Sequence, residues 1–309
     1  MRTRALNSMT NHEIQEYLKR SDVIFIPVGT VETHNPLPVD CEHVMAEAWA
    51  KLFAEQFDAV YMPNLMYFAS GGTDALPGTV KMSMIDSMKY LYAISRSLLE
   101  QGFRRQVFIP GHGPSTLLIH PVIHQILDDT KVPMLFLDPH YLFRTKGLIQ
   151  PFKINHTSAE PFRWHFKQYS DENGMGDHAE VLGAYKIIGR LDDVPTGKEA
   201  NIEGTMAREG DLLNGWFPEH DIINECAGVH APSPFFYDNE TQHACGPLPE
   251  TREEIEREAE IGEKYMRDLV SKVDFNVHLE VLKKLQNHIR EKVVNKIGEE
   301  HLPPDRWSM

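Results

Sequence analysis

The feature that most constrains this chain is the run Val23-Ile24-Phe25-Ile26-Pro27-Val28, closed by Gly29. A continuous β-branched and aromatic run, without polar alternation, fits a strand covered on both faces, as in a parallel α/β sheet. After it, Val44, Ala48, Leu52 and Phe53 recur at helical spacing between His43 and Phe57. The segment Ala59-Val60-Tyr61-Met62 then reads as a second strand before Pro63. The opening is therefore strand, loop, helix, strand.

The alternation continues. An amphipathic helix is expected over Ile85–Gln101, stopped by Gly102, and a strand over Gln106–Ile109 running into Gly111-His112-Gly113. A helix over Ser115–Asp128 and a strand over Met134–Asp138 follow. These units predict an α/β fold, a three-layer α/β/α sandwich with a largely parallel central sheet. Between Pro139 and Gly176 the periodicity fades, as it does in a pocket lid or a subunit contact. Ala179–Ile188 is helical again, and Asn201–Gln242, rich in Gly, Pro, Asn and Asp, reads as loops. Two apolar stripes end the chain: Ile255, Ala259, Met266 and Leu269, then Leu282, Leu285, Ile289 and Val293. With no internal repeat, residues 1–250 are expected to form one domain and residues 251–309 a helical extension.

Composition narrows the partners. The chain carries 31 basic and 45 acidic residues, a formal charge of −14, which repels a phosphate backbone and argues against nucleic acid. No apolar run approaches the roughly 20 residues of a membrane span. Residues Met1 to Asn11 are polar and lack a signal-peptide core, so a cytoplasmic location is the expectation. Cys41, Cys226 and Cys245 share no CxxC spacing and suggest neither a disulfide framework nor a thiolate zinc site.

The chemistry concentrates where strands end, the edge at which open α/β sheets place their sites. Just past the first strand, Gly29-Thr30-Val31-Glu32-Thr33-His34-Asn35-Pro36-Leu37-Pro38-Val39-Asp40 holds two carboxylates and an imidazole. Glu32 and His34, two apart, share a face of an extended segment, and the proline-bearing turn can return Asp40 toward them. Such a nitrogen and oxygen set suits zinc, manganese or iron(II). His112 stands at the end of a later strand on the same edge, and its flanking glycines let backbone approach a ligand closely. In Asp177-His178-Ala179-Glu180, His178 suits proton transfer at neutral pH, while Asp177 and Glu180 read equally as a helix cap and capping box.

Taken together, the first motif, the Gly-His-Gly at a later strand end and the Asp-His-Ala-Glu segment resemble the creatininase (creatinine amidohydrolase) family. That family's first motif reads G-[ST]-x-E-x-H-G-P-H-L-P-x-x-x-D, and this chain has GTVETHNPLPVD, three residues shorter between His34 and Asp40. Pro77-Gly78-Thr79 is similar to the family's F-P-G-T segment, and Gly102-Phe103-Arg104-Arg105 precedes the Gly-His-Gly strand as expected. The resemblance covers about residues 20 to 190.

It implies one metal held by Glu32, Asp40 and His112, with Asp40 bridging to a second that His34 also binds. Creatininase supplies a glutamate two residues past its Gly-His histidine. Here that position is Pro114, so Glu180 becomes the substitute ligand. His178, oriented by Asp177, would pass a proton to the leaving atom. Trp164 and His165 would close over a small ring, and Ser70 and Thr73, in Ser70-Gly71-Gly72-Thr73, would line the pocket mouth. The implied activity is a one- or two-metal hydrolase (Zn, Mn or Fe) attacking a carbonyl of a small polar ring, a cyclic amide or an inositol-derived cyclic ketone. A homo-oligomer, hexameric in the family's common form, is implied with it. A metal-stabilised metabolite-binding or assembly protein, and a metal-free enzyme with His112 as base, are the competing readings.

Overall fold

The structure, a computed structural model, describes residues 1–34, 36–63, 65–70, 77–113, 115–149, 178–200 and 247–294. Helix α1 (Asn11–Leu18) opens with a reciprocal capping box between Thr10 and Glu13 and leads into β1 (Val23–Val28). There follow α2 (Cys41–Gln56), β2 (Val60–Tyr61), α3 (Met84–Gln101), β3 (Arg105–Pro110), α4 (Ser115–Thr130) and β4 (Leu135–Phe136). Beyond them lie α5 (Pro139–Thr145), α6 (Ala179–Ile188), α7 (Arg252–Ser271) and α8 (Asn276–Ile289).

The four strands form one parallel sheet in the order β2-β1-β3-β4. From β1 the chain crosses one way to β2, then returns past β1 to β3 and β4. The reversal falls between β1 and β3, and crevices at the carboxyl ends of such a switch are where open α/β sheets bind ligands. Pro27 is tolerated in this central strand for a local reason. The Phe25 carbonyl accepts from Met62 on the β2 side and the Val28 carbonyl accepts from Gly111 on the β3 side. By that alternation the missing N–H of Pro27 faces the β2 side, past the last β2 pairing, Phe25 with Tyr61.

Strand alternation separates two apolar layers. Val23 and Phe25, with Val107 and Ile109 of β3, pack beneath α2, α6 and α7, whereas Ile24, Ile26 and Val28, with Phe108, pack beneath α1, α3 and α4. This is the three-layer α/β/α arrangement predicted from the covered strand runs. Each fully buried Ile, Val or Phe contributes about 1.5–3 kcal/mol relative to an exposed one.

Ile255, Ala259, Met266 and Leu269 of α7 are buried in the α2/α6 layer. Its crossing with α6 is close: a Cβ on Gly262 would lie 1.7 Å from the Ala179 carbonyl oxygen, and one on Gly183 2.4 Å from the Glu263 nitrogen. The second C-terminal stripe turns out rotated from its expected face. Leu282 is buried, but Leu285 is 45 % exposed, and the neighbouring Gln286 is buried instead, donating to the Arg104 and Pro133 carbonyls. Within the stretch where periodicity is expected to fade, α5 starts at Pro139, with Asp138 capping the Tyr141 N–H and Pro139 in the first turn, and residues 150–176 fall outside the described residues.

Candidate active site

Three buried side chains converge at the carboxyl ends of β1 and β3. Glu32 follows β1, Glu42 sits in the first turn of α2 and His112 follows β3, with one ligand-type atom of each within 4.8 Å of the others. His112 Nδ1 lies 2.5 Å from Glu42 Oε2 and 3.4 Å from Glu32 Oε2. His34 stands on the other side of Glu42, its Nε2 3.4 Å from Oε1. Glu42 thus turns one carboxylate oxygen to each histidine. Burial alone would raise the Glu42 carboxyl, but His112 and His34 override it and hold it well below the usual carboxylate range.

The local chain enforces this geometry. Glu32 N–H donates to the Val39 carbonyl at 2.7 Å and Leu37 N–H to the His34 carbonyl at 2.8 Å, folding the loop back on itself. Thr79 braces it from outside, accepting the Thr33 N–H at 3.1 Å. Gly78, at φ 98°, supplies the left-handed turn before it. His34 Nδ1–H donates to the Glu32 carbonyl at 3.1 Å, which turns Nε2 toward Glu42. The glycines serve helix packing: a Cβ on Gly29 would lie 2.2 Å from the His43 Cα, and one on Gly111 2.1 Å from the Glu42 carbonyl oxygen. They let the first turn of α2 press across both strand ends. The expected ligand approach at the glycine pair is therefore replaced, at Gly111, by approach of the α2 backbone, and a Cβ on Gly113 would meet nothing within 4 Å.

A cavity of about 70 Å³ opens beside the cluster, lined among others by Glu42, Met45, Trp49, His112, Thr116 and His140. Glu42, Met45 and Trp49 share one face of α2 at helical spacing. His140, in the first turn of α5 beyond β4, donates from Nε2 to Glu180 Oε1 at 2.9 Å and meets the Trp49 ring edge-to-face at 5.9 Å. Burial alone would lower the His140 imidazole, but the Glu180 carboxylate overrides it and the pKa is raised.

The residues expected from sequence divide accordingly. Glu32, His34 and His112 come together. Asp40 does not join them: its carboxylate accepts from Tyr185 OH at 2.7 Å and Arg190 Nη1 at 2.6 Å, because the short loop ends its turn early and Glu42 takes the inward position. Glu180 is engaged by His140. His178 is buried at the N-cap position of α6 and its side chain makes no cap there, while the expected cap by Asp177 falls outside the described residues. His43 faces along α2 to Glu47. Ser70 does not line the cavity. Thr73, Trp164, His165 and Asp177 lie outside the described residues. Sequence reasoning missed Glu42, Trp49 and His140. A signal for Glu42 existed: aligned on Leu37-Pro38 instead of on total loop length, the motif's final acidic position, four residues past the proline, falls on Glu42.

A parallel α/β/α sandwich with a buried carboxylate and imidazole cluster at its topological switch defines the class as one suited to holding a divalent cation. The family model described as creatinine amidohydrolase matches residues 7–183, and the chain belongs to the creatininase family. It is 28 % identical over 161 residues to a 3-dehydro-scyllo-inosose hydrolase of Thermotoga maritima, covering 50 % of this chain and 51 % of that protein. It is 37 % identical over 98 residues to a mycofactocin precursor peptide peptidase of Mycolicibacterium smegmatis, covering 29 % and 39 %. The chain thus spans about half or less of the curated relatives it matches. In fold it is similar to a crystal structure of creatininase, with TM-score 0.53 and 17 % identity over 94 % of this chain and 98 % of the other. A manganese creatininase matches with TM-score 0.52 and 19 % identity, again over 94 % and 98 %.

Proposed function

We propose that this chain is a divalent-metal hydrolase that opens a small polar ring, a cyclic amide or a cyclic ketone, by water attack on a carbonyl. The observation that carries this reading is the Glu32, Glu42, His112 cluster, flanked by His34 and open to a cavity. Buried carboxylates and imidazoles gathered this closely fit a cation well. Among the described residues, His112 Nε2 is buried without a hydrogen-bond partner, and Glu42 Oε2 faces the His112 ring.

Glu32, Glu42, His112 and His34 would hold the cation. Zinc and manganese are the preferred candidates, in line with the manganese form of a fold neighbour. The bound cation would supply Lewis acidity and lower the pKa of water toward neutrality. The chain's own residues do the rest. Trp49 and Met45 offer an apolar wall against a ring, and Thr116 adds a hydroxyl-bearing side chain to the lining. A proton must reach the leaving atom. His178 holds that role by family resemblance, whereas His140 faces the cavity with a proton on Nε2 shared with Glu180. A cyclic ketone is favoured over creatinine, since the match to a 3-dehydro-scyllo-inosose hydrolase extends over 161 residues, against 103 for a creatinine amidohydrolase.

Residues 1–250 carry the site on this reading, and α7 beyond them braces α6. Val277, Val281 and Leu285, exposed along one face of α8, would serve self-association in a homo-oligomer.

The test is metal content per chain by plasma mass spectrometry, followed by assay of creatinine and 3-dehydro-scyllo-inosose. Wild-type protein should hold stoichiometric metal that Glu42→Gln and His112→Ala lose. Wild-type protein that stays metal-free in excess manganese and zinc sinks the reading. In an active preparation, His140→Gln and His178→Gln distinguish the two proton donors by which one loses kcat.

A further inference from the structure

We propose that Asp40, Tyr185 and Arg190 form a clamp that positions the metal ligand Glu42, so that cation affinity is controlled from the far end of α6. The inference rests on the metal reading above.

Asp40 occupies the N-cap position of α2, where an aspartate ordinarily accepts a backbone N–H of the first turn. Here it makes no such cap. Both oxygens turn outward, one accepting from Tyr185 OH at 2.7 Å and the other from Arg190 Nη1 at 2.6 Å. Arg190 is fixed in turn by Asp193, which accepts from Nε at 2.6 Å, and its guanidinium lies 5.8 Å from the Tyr185 ring centroid. Gly189, at φ 79°, ends α6 and turns the chain so that Arg190 follows directly. The Arg190 backbone N–H donates to the Tyr185 carbonyl at 2.8 Å, which fixes the two donors relative to each other.

What the clamp holds is the hinge between loop and helix. Glu32 and His34 lie before Asp40 and Glu42 two residues after it, so a shift of Asp40 moves the ligands relative to one another. Asp40 would therefore be a positioning residue and not a ligand. Removal of partners that orient ligands typically weakens metal affinity by about 10- to 100-fold.

Charge and geometry predict opposite signs, which makes the test sharp. Arg190→Met deletes a positive charge near the cluster and releases a carboxylate, and both effects on Coulombic grounds tighten cation binding. The clamp predicts weakening instead. The experiment is competition of Mn2+ or Zn2+ against a chromophoric chelator, with the thermal midpoint of each apo-protein measured in parallel. Arg190→Met should weaken binding about tenfold or more, Tyr185→Phe should weaken it less, and Arg190→Lys should recover part of the loss. Arg267→Met, which removes a surface arginine paired with Glu55 and Glu263, should leave affinity at the wild-type value. Unchanged or tighter binding in both Arg190→Met and Tyr185→Phe overturns the clamp while leaving the metal reading intact. Absence of metal from wild-type protein overturns both. If Arg190→Met does not fold, Tyr185→Phe, which removes one hydroxyl, decides alone.

Discussion

At the scale of single residues, the site is a set of buried charges that stabilise one another. The His140 imidazole, with Glu180 as its partner and Asp138 and Arg144 nearby, has its pKa raised above the ordinary 6.5. A group raised in the folded state contributes stability that is complete below its unfolded value and is lost as pH climbs through the folded one. The urea midpoint of metal-free protein is therefore expected to fall as pH rises from about 6.5. Glu180→Gln should flatten part of that fall. Identical pH profiles for the two proteins would show that the pair contributes nothing. The carboxylate of Glu42 lies in the opposite direction, held low by two histidines, so acid competes with any cation there and metal affinity should decline as the histidines protonate.

Among the elements, the decisive contact is the first turn of α2 against the ends of β1 and β3. Gly111→Ala would drive a methyl group into the Glu42 carbonyl, 2.1 Å away, while Gly113→Ala meets nothing within 4 Å. Overpacking of this kind costs about 1–3 kcal/mol. Chemical denaturation should therefore show a clear loss for Gly111→Ala and little for Gly113→Ala, and the first should also weaken metal binding by moving Glu42. Gly262→Ala acts elsewhere by the same mechanism, parting α7 from α6 where the Ala179 carbonyl is 1.7 Å from the added Cβ. It should lower the thermal midpoint, and a midpoint at the wild-type value would mean that the crossing relaxes freely. Helix α3 begins and ends in sequence-legible ways. Ser83 caps α3 and Gly102, at φ 110°, stops it, which is why the predicted span, Ile85–Gln101, differs from the observed one by a single residue.

For the whole molecule, the proposed cation binding would be linked to folding, because the candidate ligands come from segments far apart in the chain and no preformed site would survive unfolding. A ligand present at a hundredfold excess over its Kd adds about 2.7 kcal/mol of stability. Calorimetry should show the thermal midpoint rising with added zinc or manganese and falling under chelator, with the rise abolished in His112→Ala. A midpoint indifferent to both would contradict a bound ion. The two-layered core explains why such a buried charged cluster is tolerated: apolar packing on both sheet faces carries the fold, and the switch between β1 and β3 leaves the crevice free for polar groups.

The sequence by itself determined the alternation of strands and helices, the parallel sheet and three of the four clustered side chains, Glu32, His34 and His112. These are written in local patterns: a covered strand is a continuous apolar run, a helix repeats about every 3.6 residues, and a parallel sheet places its loops at one edge. The tertiary structure alone decided that Glu42 and not Asp40 turns inward, that His140 meets Glu180, that Arg190 reaches Asp40 and that Gln286 replaces Leu285 on the buried face of α8. Each of those choices depends on how far a helix is rotated about its axis or on a partner far along the chain. Spacing within a motif limits which side chains can reach a site, but the packing of whole elements decides which of them face it.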